Sequence, residues 1–230
     1  MRQLNQDELK FVVQPAMSPE TIIYRRKLPH IHPQNNPLFI TFRLVDSLPA
    51  AVLAELQAQR EKELQAAKTP AERYEIQKKY FGHYDKWLDR CQHGHDWLKQ
   101  ENIAQIVADE IHRADSHHYE LYAYCIMPNH IHLLIQSLIE KFPPSSMPSA
   151  ISPVAEIMRL LKGRAARYCN LALNRSGKFW HHESYDHYVR DEKEMERIIL
   201  YILNNPVKAG LAQEWKDWKF TYVNPEIGEW

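Results

Sequence analysis

Runs of apolar residues along the chain change period several times, and each change marks an element. Leu38-Phe39-Ile40-Thr41-Phe42-Arg43-Leu44-Val45 is rich in β-branched and aromatic residues and predicts a first strand. From Pro49 to about Lys79 the composition shifts to Ala, Gln, Glu, Lys and Leu, which favour helix. Within it, Thr69-Pro70-Ala71-Glu72 reads as a helix restart, with Thr69 as N-cap, Pro70 in the first helical position and Glu72 closing a capping box. The mixed charges of these two helices predict a solvated hairpin rather than a functional surface. Tyr84 to Leu98 is aromatic and turn-rich, and Ile103, Ile106, Val107 and Ile111 then recur at the spacing of a helix that packs on a sheet. Tyr119 to Met127 and His130 to Gln136 predict two more strands, and a link as short as Pro128-Asn129 makes them antiparallel neighbours.

Lys141 to Pro153 is dense in Pro and Ser and predicts a mobile loop, followed by a long helix from Val154 to Leu173. A short extended piece at Lys178-Phe179-Trp180 precedes a final helix. There Asp191 is the cap, with Glu194 three residues on, and Met195, Ile198, Ile199 and Ile202 form the apolar face. Asn204-Asn205-Pro206 is the expected stop. The order of strand, helix, two hairpinned strands and helix describes an α+β fold. It would be a ferredoxin-like sandwich with an antiparallel sheet and helices on one face, carrying a charged helical insertion at about residues 49–98. Residues 1–36 read as an N-terminal arm, 37–211 as the catalytic domain and 212–230 as a C-terminal extension packed on it.

The chemistry concentrates in Met127-Pro128-Asn129-His130-Ile131-His132-Leu133-Leu134-Ile135. Successive side chains on a strand point to opposite faces, so His130 and His132 share one face and Ile131 and Leu133 the other. Two neutral imidazoles on a rigid strand make half of a divalent-metal site. His30-Ile31-His32 repeats the triplet between Pro29 and Pro33, and prolines on both sides disfavour a sheet-interior strand, so this copy reads as part of a structured arm without metal.

Charge is balanced, with 29 basic and 29 acidic residues, which argues against a surface wholly devoted to polyanions. Arg159, Lys162, Arg164, Arg167, Arg175, Lys178 and Arg190 nevertheless outnumber the nearby acids and could form a footprint for phosphates. Three widely separated cysteines without a CxxC pair argue against a disulfide framework and a thiolate zinc site. Met1 to Val13 lacks the apolar centre of a signal peptide, and no run reaches the roughly 20 apolar residues of a membrane span. A soluble, cytoplasmic protein is expected.

With Met127 to Ile135, Phe179 to Arg190 and Asn204-Asn205-Pro206-Val207-Lys208-Ala209-Gly210-Leu211 together, the chain resembles the single-tyrosine HUH transposases, and more narrowly the bacterial REP-associated tyrosine transposases. The resemblance runs from about Arg25 to Leu211 and includes Tyr24-Arg25-Arg26-Lys27-Leu28-Pro29. It implies a metal-dependent endonuclease and strand transferase acting on single-stranded DNA that carries a REP-like hairpin. A tyrosine oxygen attacks the phosphate, leaving a 5′-phosphotyrosine and a free 3′-hydroxyl. Mg²⁺ or Mn²⁺ is the implied cofactor, with His130 and His132 as its ligands. Tyr185 maps to the nucleophile, with Tyr188 as the alternative, since relatives often carry their tyrosine at the column of Ser184. A third ligand from the same segment would be Asp186 or His187. Lys162, Arg164, Arg167 and Arg190 are the candidate DNA-backbone contacts, and Trp180 is a core aromatic or a stacking platform for a base. Relatives act as monomers or homodimers. A hairpin-binding protein without cleavage and a hydrolytic metal nuclease are the competing readings.

Overall fold

The computed structural model describes residues 22–25, 29–32, 36–90, 92–138, 152–228 and 230. The elements in chain order are β1 (Ile22–Arg25), β2 (Pro29–His32), β3 (Leu38–Arg43), α1 (Ala50–Ala66), α2 (Pro70–Asp89), α3 (Glu101–Ala114), β4 (Tyr119–Ile126), β5 (His130–Ser137), α4 (Pro153–Ala172), β6 (Tyr185–Tyr188), α5 (Glu192–Lys208) and β7 (Thr221–Val223). β1 and β2 form their own two-stranded antiparallel sheet, so the His30/His32 copy sits outside the main sheet. The main sheet has five strands in the order β6-β3-β5-β4-β7, with every pairing antiparallel. Without β7 this is the ferredoxin-like order, in which the third strand inserts between the first two.

Strand alternation builds two cores. Leu38, Ile40, Phe42, Ile131, Leu133 and Ile135 face α3 and α4, where they meet Ile103, Val107, Ile111, Ile157 and Leu161. Each such fully buried aliphatic contributes about 1.5–3 kcal/mol. Phe39, Leu134, Cys125 and Met127 point to the other face and pack with Met195, Ile199, Ile202 and Leu203 of α5. The helices therefore occupy both faces rather than one. α3 and α4 cover the face expected of a ferredoxin-like sandwich, and α5 covers the other because its apolar stripe matches the second set of strand residues.

The insertion also differs from a solvated hairpin. The Thr69 capping box is present, and α2 runs on to Asp89, into the first residues of the stretch that reads as turn-rich in sequence. Tyr80, Tyr84, Asp85 and Leu88 of α2 are buried, and Phe81 packs edge-on against Phe39 of β3 at 5.6 Å. One face of α2 thus lies over the same side of the sheet as α5. Gly94 holds the base of the insertion together: at φ 70° its Cα lies so close to the Asp46 carbonyl that a Cβ would stand 2.2 Å from that oxygen.

Pro206 lies inside α5 rather than ending it, and the helix continues for two residues to Lys208. Asp191 caps it through the Glu194 amide at 2.8 Å. Trp180 is core, packed on Phe42 with ring centroids 5.0 Å apart. Cys125 and Cys169 are free and buried. Of the expected loop from Lys141 to Pro153, the part up to residue 151 lies outside the described residues, while Ser152 and Pro153 are the N-cap and first residue of α4. Among the described residues no helix is long and apolar enough to cross a membrane.

Candidate active site and metal centre

His130 and His132 leave β5 on the α2/α5 side and are fully buried. Their Nε2 atoms face each other at 3.1 Å. α2 brings two carboxylates to the same point from residues four apart, one helical turn: Asp85 Oδ1 is 3.5 Å from His132 Nε2, and Asp89 Oδ1 is 3.9 Å from His130 Nε2. One ligand atom from each of the four lies within 4.8 Å of all the others.

The surrounding hydrogen bonds fix the imidazoles for ligation. Asn129 Nδ2 donates to the Leu88 carbonyl at 3.2 Å, so its Oδ1 accepts from His130 Nδ1–H at 2.6 Å and leaves Nε2 with a lone pair. Leu88 sits between the two acids on α2, and the Asn129 turn therefore ties the carboxylate helix to the histidine strand. His132 Nε2 faces the Asn205 amino group at 3.1 Å and must accept, which puts its proton on Nδ1, toward Thr41 Oγ1 at 2.8 Å. Two unprotonated imidazole nitrogens thus stand 3.1 Å apart. That separation matches neighbouring ligands of one ion with bonds of about 2.1 Å.

Burial, reinforced by the charge of Lys208, holds the His132 pKa down to about 3, and burial holds His130 well below its usual value. Both imidazoles are neutral at any physiological pH. Burial pushes Asp85 and Asp89 up to about 6, and Asp89 is raised further by Asp85. Asp85 Oδ1, Asp89 Oδ1 and Asn205 Oδ1 are buried without a hydrogen-bond partner. Three buried acceptors beside two closely apposed imidazole nitrogens cost free energy that a bound cation would recover. The donor set of two imidazoles, two carboxylates and an amide oxygen fits a divalent cation.

A pH dependence follows. Below about 6 the carboxylates carry protons that a bound cation must displace, whereas the histidines carry none. Titration calorimetry in buffers of different ionisation enthalpy should show release approaching two protons per Mn²⁺ at pH 5 and close to none at pH 7.5. Affinity should fall about tenfold per carboxylate for each pH unit below 6. No proton release at pH 5 would remove the carboxylates from the ligand set.

Tyr201 of α5 closes the site. Its hydroxyl donates to Asp85 Oδ2, and its ring meets the His132 ring at 5.2 Å and 70°. Asn205 follows one turn later, so α5 presents Tyr201 and Asn205 on one face. Lys208, a further turn along, places Nζ 2.8 Å from Asp89 Oδ2.

The two tyrosines expected from the resemblance fall on opposite faces of the sheet. Tyr185 pairs with Thr41 and shares the site face, but its ring stacks on Phe81 at 4.1 Å, and among the described residues its hydroxyl has no hydrogen bond to the quartet. Tyr188 packs with the opposite core. Asp186 pairs with Ile40 and shares its direction, away from the histidines. His187 Nε2 is 3.1 Å from Glu194 Oε1. Neither is placed as the third ligand.

The candidate DNA contacts are also differently placed. Lys162, Arg164 and Arg167 belong to α4, on the far face of the sheet. Lys162 Nζ donates to the His181 carbonyl at 2.8 Å and the His182 carbonyl at 3.1 Å, and Arg164 Nε donates to Glu110 at 2.9 Å. Arg190 is bound twice by Glu194 and once by Tyr74, which joins the α5 start to α2. Arg167 is exposed.

Asp85, Asp89 and Tyr201 are absent from the expectations drawn from sequence, and Asn205 and Lys208 enter them only within the motif that carries the resemblance. Helical spacing was their signal: Asp-x-x-x-Asp on α2 and Tyr-x-x-x-Asn-x-x-Lys on α5.

Among known proteins, the chain is 29% identical over 114 residues to a Haemophilus influenzae protein assigned provisionally as a REP-associated tyrosine transposase, covering 47% of this chain and 61% of that one. It is 23% identical over 109 residues to the REP-associated tyrosine transposase of Escherichia coli K12, covering 47% and 57%. The matches thus span about three fifths of these relatives' own length. A solved structure of a REP-associated tyrosine transposase bound to a REP hairpin aligns over 90% of both chains, at a TM-score of 0.45 and 16% identity. The model of the IS200-like transposase family matches residues 90–205, half of the 230-residue chain, from the end of α2 through β4, β5, α4 and β6 to Asn205, and the chain belongs to that family.

Proposed function

We propose that the chain is a metal-dependent nicking and joining enzyme for single-stranded DNA, with Tyr201 as its nucleophile. The observation that carries this reading is the Tyr201 hydroxyl, hydrogen-bonded to Asp85 beside the buried His130/His132 pair. His130, His132, Asp85 and Asp89, with Asn205 as a further donor, would hold the cation, which supplies Lewis-acid polarisation of a phosphoryl oxygen.

The chain's own groups do the rest. Asp85 Oδ2 orients the phenol and takes its proton while Oδ1 faces the histidines. The Tyr201 oxygen forms a bond to phosphorus and the bond to the 3′-oxygen breaks, giving a 5′-phosphotyrosine and a free 3′-hydroxyl. The ester conserves the energy of the phosphodiester, so the same step reversed joins the DNA to another 3′ end without ATP. A single strand bearing a REP-like hairpin is the substrate class that the resemblance implies, and the names of the two curated relatives agree with it.

Incubation of the protein with 5′- and 3′-labelled hairpin DNA and Mn²⁺ tests this. A protein–DNA adduct that survives denaturation and retains the label 3′ of the nick is expected. Cleavage that leaves only free 5′-phosphate ends would instead make the quartet a hydrolytic site using water. Binding without cleavage under either metal would leave a hairpin-binding protein.

A further inference from the structure

We infer that Lys208 is the residue that receives the scissile phosphate at the mouth of the site; the inference rests on the transesterase reading above and deepens it. Lys208 follows Tyr201 by seven residues and Asn205 by three, so the three side chains rise from one face of α5. Its ammonium stands 2.8 Å from Asp89 Oδ2, 3.9 Å from Asp85 Oδ2 and 5.5 Å from the centroid of the Tyr201 ring.

Exposure gives the direction of approach. The His130 and His132 side chains are 0% exposed, Asp85 3%, Asp89 11% and Lys208 50%. Of the charged groups around the imidazoles, Lys208 and Asp89 are therefore the ones that reach solvent. Arg43, a buried cation on the same face, is held by Tyr84 at 2.8 Å and Ser47 at 3.1 Å.

In the metal-free protein Lys208 compensates the two carboxylates. Once those carboxylates serve as ligands, their charge is no longer available to it, and a phosphodiester oxygen is the anion that restores its pairing. As the Tyr201–phosphorus bond forms and the bond to the 3′-oxygen breaks, the phenolic proton goes to Asp85 and the 3′-oxygen takes one from water. Lys208 exchanges no proton; it holds a non-bridging oxygen whose charge grows in the transition state.

The test separates phosphate contact from chemistry. In a Tyr201→Phe background, binding of hairpin-bearing single-stranded DNA with Mn²⁺ is measured against salt, with and without Lys208→Ala. Loss of one phosphate contact should lower the slope of log K against log salt by about 0.7. With Tyr201 intact, Lys208→Ala should slow single-turnover cleavage at saturating Mn²⁺ by about 100-fold, with partial rescue by Lys208→Arg. Mn²⁺ affinity without DNA should be unchanged or tighter. An unchanged salt slope with undiminished cleavage would show that Lys208 only neutralises the acids, and weakened Mn²⁺ affinity would make it a positioning group for the ligands; either overturns the inference. If the wild type never cleaves yet the salt slope still depends on Lys208, the phosphate contact stands and the transesterase reading falls.

Discussion

Tyr201→Phe is expected to abolish the covalent adduct and to reduce strand cleavage by about 10⁴-fold or more, whereas Tyr185→Phe leaves cleavage within about threefold of wild type. The two tyrosines differ in what their hydroxyls touch. Tyr201 donates to Asp85, and its ring lies on His132. Tyr185 is held chiefly by its ring on Phe81, a contact that Phe preserves. Hairpin binding should survive Tyr201→Phe, because the substitution removes one oxygen that the ground state does not need. Mn²⁺ binding should survive too, since His130, His132, Asp85 and Asp89 remain. If the adduct persists in Tyr201→Phe and vanishes in Tyr185→Phe, β6 rather than α5 supplies the nucleophile, and Phe81 must move to admit it.

The difference between these tyrosines shows which inferences a linear pattern supports. Strand alternation is a rigid rule over short distances, and it put His130 and His132 on one face and Ile131 and Leu133 in the opposite core. The same rule separates Tyr185 from Tyr188 once β6 is known to be a strand. It cannot say which helix descends on the histidine face. The apolar positions of α5 dominate its pattern and mark the buried stripe, but the polar stripe beside it, Tyr201, Asn205 and Lys208, acquires meaning only where the helix crosses the sheet. For α2 the obstacle was composition: its exposed Lys and Glu mask a buried edge of Tyr84, Asp85 and Leu88. A buried Asp reads in sequence like any solvated one, and its partner was an imidazole more than forty residues away. The family match begins at residue 90, just beyond α2, so Asp85 and Asp89 lie outside the stretch by which the family is recognised. The insertion therefore contributes carboxylates to a site whose histidines, tyrosine and amide lie within that stretch.

That contribution has a thermodynamic cost, which Asp89→Asn should expose. Burial raises the folded-state pKa of Asp89 to about 6 from an ordinary 3.8. The folded protein then binds more protons than the unfolded chain between those values, so stability falls as pH rises through that window, and the full penalty is present above it. At pH 7.5 the metal-free wild type therefore carries roughly 1–3 kcal/mol of strain from this group alone. Removing the charge should raise the melting temperature of the metal-free protein by about 2–12 °C, given roughly 2–4 °C per kcal/mol for a chain of this size. At pH 4 most of the gain should disappear, because Asp89 is then protonated in the folded wild type. Metal reverses the order: at about 100 times its Kd, Mn²⁺ should stabilise the wild type by about 2.7 kcal/mol and the variant far less. Thermal melts of both proteins, with and without Mn²⁺ at the two pH values, measure the whole cycle. A variant that melts lower without metal and gains as much as wild type with it would make Asp89 a structural partner of Lys208 and no ligand. The expected crossing would instead show a site whose metal-free instability is the source of its affinity.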